Sequence, residues 1–292
     1  MRERSVGVIG VGLMGTALSR RLLAAAWRLT GYDLDPARCE ELARLGGRAA
    51  ADHAEVAACA DRLLLSLPTA DHVEDVLRQV RGALRPGQII VDTTTGDPQK
   101  MAAFGADLFA RGVGYLDAAI SGSSADASRG EIIVMAGGRR ETFDACEDLF
   151  ATLARGWVHL GDWGSGNRMK LVTNLVLGLN RAALAEGLAL AGAMGLDAET
   201  TLAILAQSAA YSRVMDSKGR KMISGDFTPQ ARLSQHLKDV RLILAEGDRH
   251  GRDLPLSVVH RQLLEKAQSA GFGDLDNSVI IRAFEERARD EE

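Results

Sequence analysis

A doubly wound, mainly parallel β-sheet followed by an all-helical domain is the fold this sequence predicts. Three observations predict it: short apolar runs alternate with helix-length segments through the first half, strand patterns vanish near residue 165, and the chain has 292 residues. Single cores stop growing at about 250 to 300 residues, so two domains are expected, 1–164 and 165–292.

Taken in order, 6–9, 29–32, 63–66, 89–92 and 132–136 read as buried strands, with 115–117 and 158–160 as shorter candidates. Helix-length segments lie between them at 15–26, 36–45 and 72–80, which is the alternation of βαβ units. The glycine-rich stretch from Gly161 to Gly166 marks the boundary. Beyond it, 167–194 reads as one long helix stopped by Gly195, and Asp197 reads as the N-cap of a helix over 198–208. Further helical pattern follows at 229–245, 256–270 and 277–288.

Apolar residues at 46% and charged residues at 25% are ordinary globular values and exclude a fibrous or largely disordered chain. The net charge is −4, and no run of five or six like charges is present, so neither nucleic acid nor an acidic membrane is an expected partner. Cys39, Cys59 and Cys146 are odd in number, widely spaced and outside any CxxC pair, which suits reduced thiols in the cytoplasm. Arg2 and Arg4 before the apolar stretch 6–18 imitate an export signal, but four glycines within that stretch, and Arg20 and Arg21 after it, speak against one. No other stretch reads as the 18 or so uncharged apolar residues of a membrane span.

Gly10, Gly12 and Gly15 form GxGxxG between the first strand and the first helix. Gly10 suits a tight turn, Gly12 lets a pyrophosphate approach bare backbone, and Gly15 lets helix and strand pack closely. The free N–H groups of the helix start then face the anion. Asp33 ends the second strand, 23 residues after Gly10, where a carboxylate accepts bonds from the adenosine ribose. A 2′-phosphate would meet repulsion there, and the first arginine beyond is Arg38, so NAD is the preferred cofactor, with NADP possible. The first domain is therefore expected to be of Rossmann type.

Two further constellations carry chemistry. In Asp117-Ala118-Ala119-Ile120-Ser121-Gly122-Ser123, hydroxyls and a glycine follow a strand; such a turn either presents N–H and O–H donors to a carboxylate or is simply a surface turn. In Gly164-Ser165-Gly166-Asn167-Arg168-Met169-Lys170-Leu171-Val172-Thr173-Asn174, Lys170 and Asn174 stand at i and i+4 on one helix face. Leu171, Val172, Leu175, Val176 and Leu177 suggest that much of this helix is buried, so Lys170 either snorkels outward or is held for chemistry.

These motifs, together with GVIGVGLMG at the start and 227–245 with its Leu237-Lys238-Asp239, resemble the β-hydroxyacid dehydrogenase family over essentially the whole chain. That group contains 3-hydroxyisobutyrate dehydrogenase and tartronate semialdehyde reductase. The resemblance implies an NAD(P)-dependent oxidoreductase interconverting a small β-hydroxy acid and its semialdehyde or keto acid. It implies Lys170 as general acid and base, Asn174 as the residue orienting substrate, and Ser121, Gly122 and Ser123 as the grip on its carboxylate. Gly10, Gly12, Leu13, Met14, Gly15, Asp33, Leu67, Pro68, Thr95 and Lys238 are the implied cofactor contacts, and Asp239 is expected to hold Lys238 or Lys170. A homodimer or homotetramer is implied as well.

The chain departs from the family where Ala119 replaces a common Pro, Ser123 a second Gly and Thr173 a second Asn. The extra hydroxyl of Ser123 is expected to favour a more polar or larger acid. An imine reductase-like enzyme usually lacks the lysine at position 170, and a non-catalytic dinucleotide-binding scaffold would carry extra segments that are not visible here. His53, His72, His159, His236, His250 and His260 make no HxxxH or HExxH spacing and have no cysteine partners, so no metal is expected. His236 reads either as a substrate contact or as an exposed helix residue, and His72 as a candidate neighbour of the cofactor.

Overall fold

A computed structural model of the chain describes residues 4–285. Two compact units divide between Lys170 and Leu171.

Unit 1 is an eight-stranded sheet: β1 Ser5–Ile9, β2 Arg28–Tyr32, β3 Arg48–Ala49, β4 Arg62–Leu65, β5 Ile89–Asp92, β6 Gly114–Ser121, β7 Ile132–Gly138 and β8 Ala154–His159. The spatial order is β3-β2-β1-β4-β5-β6-β7-β8, and every described pairing is parallel except the antiparallel β6–β7. Its helices are α1 Leu13–Ala24, α2 Pro36–Arg44, α3 His53–Cys59, α4 Ala70–Val80, α5 Pro98–Phe109, α6 Ser124–Arg129, α7 Arg140–Asp144 and α8 Glu147–Leu153. Residues alternate between the two faces along each strand. Val6, Val8 and Leu64 therefore join a core with Leu18, Leu22 and Phe150, while Ile9, Leu63 and Leu65 join another with Val56, Val73 and Met101.

The doubly wound sheet of the sequence reading is present, with three differences of detail. β3 is only two exposed residues long, too short for periodicity to register. β6 runs five residues past its apolar start because the sheet accepts the strand-averse Asp117 as a fully buried side chain. β8 begins four residues earlier than its apolar core suggests.

The helix α9, Ser165–Ala193, begins in unit 1 and continues into unit 2, followed by α10 Ala198–Gln207, α11 Arg220–Ser224, α12 Leu233–Arg249, α13 Pro255–Ala267 and α14 Arg282–Glu285. Gly195, at φ +76°, ends α9, and the Asp197 carboxylate caps α10 by accepting from Thr200 N at 2.8 Å. A π-helical stretch, Met215–Gly219, leads into α11, and a 3-10 stretch, Asn277–Ile281, precedes α14. The part of the expected last helix beyond residue 285 lies outside the described residues. Leu184, Ala185 and Leu188 of α9 pack with Leu202, Leu237, Val240, Leu264 and Ile280 in the core of unit 2.

By length and composition α9 alone among the described helices could cross a membrane, but it carries Arg181 buried within it. Its burial is also narrower than its sequence suggests, since Val172, Val176 and Leu177 are exposed. Apolar side chains surround this helix, whereas unit 2 covers only one side of it.

Candidate active site

Unit 1 gathers its candidate residues at the carboxyl ends of neighbouring strands, with the order reversing between β1 and β4. That is where doubly wound sheets bind ligands. After β1, each glycine meets its own constraint. Gly10 has φ +91°, and a Cβ there would stand 2.3 Å from Ser66 O. A Cβ on Gly15 would stand 2.0 Å from Gly10 O, so helix and turn touch backbone to backbone. At Gly12 a Cβ would meet nothing within 4 Å: the space beside it is open. Gly12 also caps α1 without a side chain, and no acid occupies the first turn, so the N–H groups of Leu13 and Met14 suit a diphosphate. The residues present fit a dinucleotide.

Asp33 follows β2, and its Oδ2 accepts from Val11 N at 2.6 Å while Oδ1 accepts from Asp35 N at 3.0 Å. The carboxylate thus ties the glycine turn to the end of β2 and keeps lone pairs for ribose hydroxyls. A shallow cleft lined by Tyr32, Asp33, Leu34, Pro36 and Cys39 adjoins it. Leu67 and Pro68 follow β4, with Leu67 N donating to Thr94 Oγ1 at 3.2 Å, and Thr95 follows β5. His72 sits at the exposed start of α4, its Nδ1 2.6 Å from Thr69 Oγ1.

A joint that the motif reading missed fixes the start of α9. Asp117, fully buried on β6, accepts from Gly164 N through Oδ1 and from Asn167 N through Oδ2, both at 2.8 Å. Asn167 in turn accepts from Gly96 N at 2.9 Å, joining α9 to the loop after β5. Glycines make room: a Cβ would stand 2.4 Å from Asp117 Oδ1 at Gly137 and 2.1 Å from Asp117 O at Gly166. Burial pushes the Asp117 carboxyl up to about 7 against those N–H bonds, and it pushes Asp92, bonded by Tyr115 Oη at 2.8 Å, up to about 6. Lys170, three residues past Asn167 and half-buried, is therefore placed by a clamp between two strand ends.

Ser121 closes β6 and Gly122 takes φ +137°. Ser123 is bonded to Asp126 through both its N–H and its hydroxyl. Its Oγ accepts from Asp126 N at 3.2 Å and donates to Asp126 Oδ2 at 2.7 Å, so the hydroxyl serves as the cap of α6 and is not an open donor for a carboxylate.

In unit 2, Asn174 is 5% exposed, and its Nδ2 donates to Asp239 Oδ2 at 2.8 Å. Lys238 Nζ lies 3.0 Å from Asp239 Oδ1. Asp239 thus orients the Asn174 amide and pairs with Lys238. His236, one turn before Asp239 on α12, is buried with its ring centroid 5.2 Å from that of His260, which removes the exposed-helix reading. Among the described residues no group of three His, Cys, Asp or Glu side chains is placed to hold a metal ion.

Two family models match the chain: the NAD binding domain of 6-phosphogluconate dehydrogenase over residues 5–161, and the NAD-binding domain of NADP-dependent 3-hydroxyisobutyrate dehydrogenase over residues 164–284. The 2-(hydroxymethyl)glutarate dehydrogenase of Eubacterium barkeri is 33% identical over 288 residues, 96% of this chain and 95% of that protein. The L-threonate dehydrogenase of Cupriavidus necator is 32% identical over 287 residues, covering 97% and 96%. A crystal structure of 3-hydroxyisobutyrate dehydrogenase from Salmonella typhimurium matches with a TM-score of 0.89 at 29% identity, covering 96% and 99%.

Proposed function

This chain belongs to the β-hydroxyacid dehydrogenase family, and from that membership we propose that it interconverts a small β-hydroxy acid and its semialdehyde or keto acid, with Lys170 as general acid and base. It is an NAD(P)-dependent oxidoreductase. When bound, the nicotinamide accepts or supplies the hydride. Lys170 takes the hydroxyl proton in oxidation and returns it in reduction. Asn174, oriented by Asp239, holds the reacting oxygen, and Ser121 and Gly122 hold the substrate carboxylate beside Ser123, whose N–H and hydroxyl both donate to Asp126. What supports Lys170 above all is the buried clamp of Asp117 and Asn167 one turn before it, which spends a buried carboxyl on fixing the start of α9.

Leu13, Met14, Leu67, Pro68, Thr95 and Lys238 are proposed as cofactor contacts, with NAD preferred over NADP. Asp33 stands at the ribose position, and Arg38, the nearest arginine beyond it, already lies 3.9 Å from Asp35 and 3.6 Å from Glu41. The enzyme is proposed to work in the cytoplasm with reduced thiols; burial pushes the Cys146 thiol up to about 12.

A homodimer or homotetramer is proposed from the uncovered side of α9. Val172, Val176, Ala183, Gly187, Leu190 and Met194 are exposed at helical spacing, with small residues at the middle where a second helix could approach closely.

The test is turnover of purified protein with NAD and NADP against 3-hydroxyisobutyrate, glycerate, 4-hydroxybutyrate, serine, threonate and sulfonated analogues. Lys170→Ala is expected to abolish turnover while NADH binding stays near normal; retained turnover, or equal loss of binding, refutes the role.

A further inference from the structure

Seven residues beyond Asn174, on the same helix and within unit 2, α9 carries Arg181. Its side chain is 3% exposed, and its Nε and Nη1 meet no hydrogen-bond acceptor among the described residues. A buried guanidinium is ordinarily paired, because desolvating a charge is costly without a partner. The carboxylate acting on it, Asp276, is already committed. Both of its oxygens lie 2.9 Å from Lys218 Nζ, and they also accept from the N–H groups of Gln230, Ala231 and Ser278 and from Ser278 Oγ. Two buried cations thus share one carboxylate, leaving a surplus positive charge.

Polar edges surround the place where that charge lies. His260 Nε2 is buried and without a hydrogen-bond partner among the described residues. A Cβ on Gly178 would stand 2.6 Å from both His236 Nε2 and His260 Cε1, so only a glycine lets the two imidazoles close against α9 here. Long side chains on a helix lean toward its N-terminus, here the direction of Gly178 and Asn174, and the Arg181 charge acts on His260, the imidazole that abuts Gly178. Burial, and then the Arg181 charge, lower the His260 imidazole to about 4, so it stays neutral and able to donate one N–H.

We propose that Arg181, His260 and His236, grouped around Gly178, form an anion subsite that takes the second acidic group of a substrate whose reacting oxygen is held at Asn174. The preferred acid is then a dianion. Seven residues of helix rise about 10 Å, and the backward lean of the arginine shortens the span by about one turn, which suits acidic and reacting groups separated by a chain of about four or five carbons. This inference rests on the dehydrogenase reading for the role of Asn174, but not for the presence of the anion subsite.

The experiment is calorimetric titration of the NADH-bound protein with glutarate, butyrate and inorganic phosphate, with no turnover involved. Glutarate is expected to bind at least ten-fold more tightly than butyrate or phosphate. Arg181→Met should bring the glutarate-to-butyrate ratio near one, leave NADH affinity unchanged, and melt no lower than wild type in the absence of ligand, since it removes an uncompensated charge. His260→Leu, which keeps the arginine, should reduce the ratio several-fold and serves if Arg181→Met fails to fold. Equal binding of glutarate and butyrate to wild type, or a ratio that survives in whichever variant folds, overturns the proposal, as does phosphate binding as tightly as glutarate. A protein that prefers glutarate yet oxidises no hydroxy acid refutes the dehydrogenase reading and supports the subsite.

Discussion

Asp117 in unit 1 and Asp276 in unit 2 are both fully buried carboxylates that collect backbone N–H groups, yet they titrate in opposite directions. Asp117 has N–H bonds but, among the described residues, no cation in contact, and burial carries it up to about 7. Burial raises Asp276 too, but the charge and bonds of Lys218, together with the Gln230 N–H and the Ser278 hydroxyl, more than reverse this and hold it below the usual carboxylate range. Backbone dipoles alone therefore do not offset the loss of water around Asp117, whereas backbone dipoles joined by an ammonium group do so at Asp276. Unit 1 anchors its long helix on a group poised to take a proton near neutrality; unit 2 anchors its loops on a permanent ion pair.

Removing that ammonium is the strongest way to break the contrast. Lys218→Met takes from Asp276 the ammonium in contact with it, leaving only the Arg181 charge that makes no hydrogen bond to it, and is expected to cost about 3 kcal/mol in chemical denaturation. A loss below about 1 kcal/mol would mean that Arg181 swings onto Asp276 and takes over from the ammonium, so that a cation still offsets the burial of this carboxylate.

The wild-type pH profile probes the other side of the comparison. Between the ordinary carboxyl value of 3.8 and about 7, the native state holds a proton at Asp117 that the unfolded chain has released. Asp92 behaves alike up to about 6. Native protons in excess make stability fall as pH rises, so these two carboxyls together are expected to lower it by on the order of 5 kcal/mol from pH 4 to pH 7. Asp276 and His260 work the other way. The contribution of Asp276 is present above its unfolded value and is lost as pH falls through its depressed native value. His260, neutral down to about 4 when folded, costs stability below 6.5, so a net fall on the order of 3 kcal/mol is expected. Denaturation series at pH 4, 5.5 and 7 check the sign. A profile that rises steadily to pH 7 would show that Asp117 is ionised in the folded protein.

The same contrast explains how much could be read from the sequence. Gly10, Gly12 and Gly15 were legible because their constraints are local: a positive φ, an open approach and a backbone contact within six residues. Asp33 was legible because strand ends fall at a regular distance from that turn. Asp117 lay inside a motif but was read for the turn beyond it, since nothing near it in sequence announces the N–H groups of Gly164 and Asn167. Ser123 carries a local role as well, since with Asp126 it makes the S-x-x-D pattern of a helix cap. Arg181 gave no signal at all: one arginine in a long helix reads as a solvated position until α12, α13 and the Asp276 loop are packed around it. Helical periodicity likewise could not say that Val172 and Val176 lie outside the cover that unit 2 provides.

The smallest effect on stability, and the sharpest on the comparison, is expected from Asp117→Asn. The amide keeps one acceptor oxygen but turns an NH2 group toward the N–H of Gly164 or Asn167, so one end of the clamp is lost, at a cost of about 1–2 kcal/mol at pH 4. Near pH 7 the deficit should shrink, because the variant avoids burying a carboxylate charge, and the downward slope between pH 4 and 7 should largely vanish, leaving the opposed shares of Asp92 and His260. Because the clamp lies one turn before Lys170 and away from the glycine turn, kcat should fall while NADH affinity stays within two-fold of wild type. An unchanged slope would show that Asp117 is not the group that titrates. An unchanged kcat with a weakened clamp would show that Lys170 does not depend on the start of α9 for its position.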